Sequence, residues 1–199
     1  MALGLEPLRL VDVSTVGWAA NEATRFLSPL GDRWNHVQGV VTKAHEVASV
    51  VAEVDAPVLI ASAYLHDVGW APQLMETEFH PIDGARWLRR LGYLRIAALV
   101  AHHSGARFEA ALRGLATEIG EFEYEESVVA DGLTYCDLTT GPKGQRVSFE
   151  ERCADIRHRY GETHVAAIAL DHASPTLLGA VHRTERRMQG RGGPGLIRT

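Results

Sequence analysis

In the stretch AYLHDVGWAP, residues 63–72, His66 and Asp67 stand side by side at the end of an apolar run. Taking an ionised carboxylate out of water is costly unless something pairs with it. Helical periodicity, at about 100° per residue, sorts the other candidates for that partnership. In NHVQGVVTKAHEVASVVAEV, His36 falls near the line through Val40, Val47, Val51 and Val54, while His45 points away. Lys43 also falls near this line, and its long side chain is expected to carry the charge outward. In RIAALVAHHSG, His103 continues the stripe Ile96, Leu99, Val100, and His102 lies on the flank, close enough for a small rotation to exchange the two. His80 precedes Pro81 and projects from a helix start. Asp137 lies beside the stripe Val129, Leu133, Cys136, with Asp131 nearly opposite. Gathered together, these imidazoles and carboxylates would suit one or two divalent transition metal ions, of Fe, Mn, Co, Ni or Zn.

Each residue also has a plainer reading. A lone buried histidine is more often a hydrogen-bonded core residue, and Asp137 could cap the loop that follows it. His158, His164, His172 and His182 are assigned to the surface or to local hydrogen bonds. Trp18, Trp34, Trp70 and Trp87 read as core or pocket wall. The adjacent pair His66-Asp67 is harder to dismiss, because its helix has no polar face.

The elements that must carry these residues read as all-α, because period-3.6 stripes dominate and alternating runs are scarce. Helices are expected at about 15–27, 34–54, 57–68, 81–91, 93–103, 106–119, 125–139, 149–160, 163–172 and 175–188. Pro57 and Pro81 suit first turns, Gly92 and Gly161 suit C-terminal caps, Ser148-Phe149-Glu150-Glu151 fits a capping box, and Ser174-Pro175 reads as a cap and first position. TTGPKGQRV, residues 139–147, is a loop. Residues 1–189 are expected to form one domain, with 190–199 a mobile tail.

The chain has 199 residues, 46% hydrophobic and 23% charged, with a net charge of −5, which disfavours a duplex nucleic-acid partner. No run is long enough for a membrane span, and the expected location is cytoplasmic. Cys136 and Cys153 form no C-x-x-C, so nitrogen and oxygen must hold any metal. The sequence allows a homodimer.

The order His36, His66-Asp67, Asp137 resembles the H…HD…D signature of the HD-domain superfamily of metal-dependent phosphohydrolases, over about residues 30–145. HPIDGA and VAHHSGA are similar to the extra histidine motifs of its dinuclear branches, such as the HD-GYP phosphodiesterases and the symmetrical diadenosine tetraphosphatases. The resemblance implies a helical bundle in which His36, His66, Asp67 and Asp137 bind one ion. Asp67 would bridge to a second ion held by His80 and by His103 or His102. VAHHSGARFEA lacks the Glu and Gly-Tyr-Pro of HD-GYP proteins, which argues against cyclic-di-GMP hydrolysis. Arg33-Trp34 resembles, at a different spacing, the Arg-Trp near the first histidine of bacterial 5′-deoxynucleotidases.

The implied activity is hydrolysis of a nucleotide-like phosphate monoester or diester by a metal-activated hydroxide, with Asp67 and His66 catalytic. Arg33, Lys143 and Arg146 are the candidate phosphate contacts, since charge-assisted bonds to phosphate are strong. A mixed-valence di-iron oxygenase and a non-catalytic nucleotide-sensing module are the alternatives.

Overall fold

The computed structural model describes residues 9–191. The chain runs through α1 (Val13–Leu27), α2 (Asp32–Val47), α3 (Ala56–Leu65), α4 (His80–Arg90), α5 (Leu94–His102), α6 (Ala106–Leu112), α7 (Ala116–Ile119), α8 (Val128–Leu138), α9 (Phe149–Tyr160) and α10 (Val165–Arg191), joined by short 3-10 turns. Among the described residues there is no strand, only an isolated bridge between Thr140 and Arg146. The fold is all-α.

The centre is α3, whose sequence APVLIASAYL is apolar around its whole circumference. A helix of that kind must be enclosed, and α1, α2, α5 and α8 pack around it. The main core is built from Leu27, Val37, Val40, Leu59, Leu65, Ile96, Val100 and Leu133. Burial on this scale, at about 25 cal/mol per Å2 of apolar surface, fixes the directions in which the helix ends point. A smaller cluster of Leu138, Phe149, Leu170, Leu177 and Val181 ties α8, α9 and α10 together. Among the described residues no helix is long and apolar enough to cross a membrane.

Several ends follow the sequence signals. Pro57 and Pro81 sit in first turns, Ser148 and Glu151 form a reciprocal capping box, and Gly92 and Gly161 follow their helices at φ 85° and 87°. Other ends depart from them. The second helix stops at Val47 rather than continuing to 54, so Val54 is exposed. The helix expected over 106–119 breaks after Leu112, where Gly114 takes a left-handed φ of 74°. The two helices expected at 163–172 and 175–188 are one, with Pro175 inside it. Pro175 and Asp171 both face solvent, so the carbonyl that the proline cannot serve is left to water. Meanwhile the buried stripe Leu170, Ala173, Leu177, Val181 runs through uninterrupted and keeps the two halves in one helix. The expected tail lies outside the described residues except for Gly190 and Arg191, which end α10.

Two polar residues expected outside are inside. Asp131 is covered by α10, where Arg183 Nε and Nη2 donate to its carboxylate at 2.8 and 2.6 Å and Arg187 Nη1 at 3.0 Å. Periodicity within α8 could not reveal that a second layer lies over its outer face. Lys43 does not reach solvent either: its ammonium donates to the carbonyl and hydroxyl of Thr139 and lies over the Tyr135 ring. Burial pulls Lys43 down to about 8.

Candidate metal centre

Four helix ends and one helix interior deliver the polar cluster. α3 stops at His66, and its Nδ1 donates to the Ala63 carbonyl at 2.9 Å. α5 stops at His102, and the next residue, His103, repeats the device: its Nδ1 donates to Val100 at 2.6 Å. Ser104 then takes a left-handed φ of 48° and turns the chain away. His36, inside α2, donates from Nδ1 to Gly141 at 3.2 Å, in the loop after α8. A carbonyl can only accept, so in each ring Nδ1 carries the hydrogen and Nε2 offers its lone pair inward. Pinning one ring nitrogen to a carbonyl is how proteins fix the tautomer of a metal-binding histidine.

The inward nitrogens meet carboxylates. His36 Nε2 is 3.0 Å from Asp137 Oδ1, and His66 Nε2 is 3.5 Å from Asp67 Oδ2. On the other side, Asp67 Oδ1 is 3.2 Å from His80 Nε2, which is 3.4 Å from His103 Nε2. Two groups of donors result, His36, His66 and Asp67, and Asp67, His80 and His103, with ligand atoms within 4.8 Å of one another in each. Asp67 belongs to both. His66 Nε2 is buried without a hydrogen-bond partner, and His36 Nε2 faces another acceptor. Lone pairs aimed at carboxylates across such gaps fit a divalent ion bound by nitrogen and oxygen. Cys136 and Cys153 are buried as free thiols and belong to neither group.

The protonation states suit ligands. Burial pushes the Asp67 carboxyl up, but Arg33, His66 and His80 outweigh it and hold it well below the usual range. Asp137 is likewise held low against its burial, chiefly by His36. Burial lowers His80 to about 4 despite its bond to Asp67, and lowers His103 as well. Near neutral pH these carboxylates are ionised and these two imidazoles neutral.

Of the expected site residues, His36, His66, Asp67, His80, His103 and Asp137 are brought together. His102 is not: its Nε2 donates to the Phe122 carbonyl at 3.0 Å, away from the cluster. Arg33 arrives as expected, with Nη1 2.7 Å from Asp67 Oδ2 and its guanidinium 4.8 Å from the centre of the Trp70 ring. Trp70 also stacks on His80 at 4.6 Å. Lys143 and Arg146 do not arrive. Both are exposed, and Arg146 pairs with Glu46 on α2. Their loop is drawn back against α2, where a Cβ on Gly39 would come within 2.5 Å of the Gly144 carbonyl. The loop therefore serves His36 through Gly141.

Other residues join the site without having been singled out. Ser104 donates to Asp137 Oδ2. Buried Asp83 accepts from the Thr77 amide and hydroxyl at 2.8 and 2.7 Å, pinning the turn that precedes His80. Arg152 of α9 is 6% exposed and approaches Asp137 Oδ1 to 3.8 Å. It was legible, because Phe149, Arg152, Cys153 and Ile156 follow i, i+3, i+4, i+7 and place an arginine on an apolar stripe. His164 does make a local bond, accepting from the Ala166 amide at 3.2 Å, and it also stands at the pocket rim against Tyr160.

The pocket over Asp67, His80, His103 and Asp137 encloses about 160 Å3 and is walled by Arg33, Trp70, Arg152 and the facing sides of α9 and α10. A larger cavity of about 510 Å3 between α5, α8 and α10 reaches His103 from behind but contains neither Asp67 nor Asp137.

No curated protein and no solved structure matches the chain. A family model described as HD domain matches residues 33–156. The match starts at Arg33, takes in all six clustered ligand candidates and ends within α9. It spans more than half of the 199 residues, and the chain belongs to the HD-domain family.

Proposed function

We propose that the protein is a metal-dependent phosphohydrolase acting on a phosphate monoester or diester, with two ions held on either side of Asp67. His36, His66, Asp67 and Asp137 would hold one, and Asp67, His80 and His103 the other. The observation that carries this reading is the sharing of one carboxylate by two donor groups in which His36, His66 and His103 already present bare Nε2 atoms. Divalent ions bound there supply Lewis acidity that lowers the pKa of water and neutralises phosphoryl charge. The rest falls to the chain. Arg33 holds the orientation of Asp67 and places a cation at the pocket floor, where a phosphoryl oxygen would meet it. Ser104 donates to Asp137 Oδ2 and fixes that carboxylate with its other oxygen turned to His36 Nε2. Trp70 and the α9–α10 wall restrict water around the reacting group.

Elemental analysis of protein purified without added metal, followed by assays of nucleotides and model phosphodiesters with Mn²⁺, Co²⁺ or Fe²⁺, tests the reading. Asp67→Ala is expected to lose bound metal and turnover, and His45→Ala, on the exposed face of α2, to keep both. Equal activity in the two variants refutes the assignment. Iron with oxygen uptake and no ester hydrolysis would replace it with an oxygenase.

A further inference from the structure

We propose that Arg152 and Arg33 grip the phosphoryl group from opposite walls, and that the α9–α10 wall favours a phosphomonoester of a compact apolar or aromatic alcohol. The inference rests on the phosphoesterase reading and replaces the nucleotide expected from the sequence.

The two arginines stand in parallel roles. Arg33 reaches Asp67 at 2.7 Å, and Arg152 leans toward Asp137 at 3.8 Å, beyond hydrogen-bond distance. Arg152 Nη1 donates to Asp155 at 3.1 Å, while its Nε is buried with no partner. A guanidinium has five donors, and leaving them unmatched at 6% exposure is costly. Arg152 also lines the pocket above the ligand cluster. A phosphoryl group there gives it the charged acceptor that Asp137, held by the Ser104 hydroxyl at 3.8 Å from the guanidinium, does not.

The size and lining of the pocket define the remainder of the substrate. About 160 Å3 is well below the roughly 300–1,000 Å3 usual for drug-sized ligands. The α8–α10 side of the wall carries Leu138, Ile156, Ala169, Leu170 and Ala173, which offer no side-chain hydrogen bonds to a sugar or a base, and the two further arginines at its edge are already paired, Arg113 with Glu109 at 2.6 Å and Arg159 with Asp155 at 2.9 Å. Tyr160, stacked on His164 at 5.1 Å, adds an aromatic edge at the rim. Across the mouth stands Glu78, an exposed acid on a left-handed backbone of φ 59°, which repels a second phosphate. Space for a phosphoryl group and one ring, an apolar wall and Glu78 at the mouth favour such an ester over dinucleotides and nucleoside polyphosphates.

Calorimetry on the full chain loaded with Mn²⁺ compares phenylphosphonate, which is not hydrolysed, with inorganic phosphate and adenosine monophosphate. Phenylphosphonate is expected to bind about ten-fold more tightly than adenosine monophosphate, and Arg152→Lys to weaken both phosphate and phenylphosphonate about ten-fold by losing the fork of donors. Tyr160→Ala, on a side chain exposed enough to spare the fold, is expected to weaken phenylphosphonate and leave phosphate within about two-fold. Tighter binding of the nucleotide, or unchanged phosphate affinity in a folded Arg152→Lys, overturns the inference. Failure of every ester to be hydrolysed would refute the phosphohydrolase reading separately, and the binding order would still decide this one.

Discussion

Asp67 is placed where each of its oxygens faces a different set of imidazoles, so its loss is expected to cost more than the loss of any one histidine. His103→Ala is expected to remove metal from one side only, lowering the stoichiometry from two ions to one, and His102→Ala to leave it at two, as counted by elemental analysis. The reverse order would show that the α5 terminus rotates in solution. The sequence could not choose between these neighbours because a helix end frays, and the choice depends on the left-handed turn at Ser104 and on the Phe122 carbonyl waiting for His102. His36, His66, Asp67 and Asp137 were legible because each sits on or at the end of a strongly apolar face, where a polar side chain is conspicuous. Arg152 carried the same signal. Lys143 and Arg146 misled because basic residues in a Gly-rich loop look alike whether they face a pocket or water.

Elements meet at the site only where backbones can come close. The turn after Asp67 passes so near the start of α4 that a Cβ on Gly69 would lie 2.0 Å from the His80 carbonyl. Gly69→Ala is therefore expected to destabilise the protein by about 1–3 kcal/mol or more and to separate Asp67 from His80. A urea titration measures the first effect and metal content the second; wild-type values for both would mean that the two segments have slack. Helix existence was legible from periodicity and capping, as at Ser148 and Pro81. The merging of the last two helices and the burial of Asp131 were not, because both arise from packing between α8 and α10, residues far apart in sequence.

For the whole molecule, the part matched by the family is not all that the fold needs. Removing residues 165–199 strips Leu170, Leu177 and Val181 from their cluster, at about 1.5–3 kcal/mol each, and uncovers Asp131. Set against a total stability of about 5–15 kcal/mol, this loss is expected to abolish a cooperative melting transition in the truncated chain, a result that scanning calorimetry would give directly. The metal-free protein should also lose stability in mild acid. His80 is lowered from 6.5 to about 4 in the folded state, so between those values the unfolded chain binds the proton and the folded chain does not. Stability present above pH 6.5 is lost as the pH falls toward 4, and His103 adds to it in the same direction. Denaturant midpoints of chelator-treated protein should therefore fall between about pH 7 and about pH 5; a constant midpoint contradicts the burial of these rings.

The indole of Trp70 lies between the Arg33 guanidinium, 4.8 Å from its ring centre, and the His80 imidazole at 4.6 Å. It is thus a built-in optical probe: emission from this one tryptophan should shift when an ion draws on His80 or an anion draws on Arg33. Trp70→Phe would silence that response and leave the emission of Trp18, Trp34 and Trp87, the first and last of which stack on each other against the core, as the background.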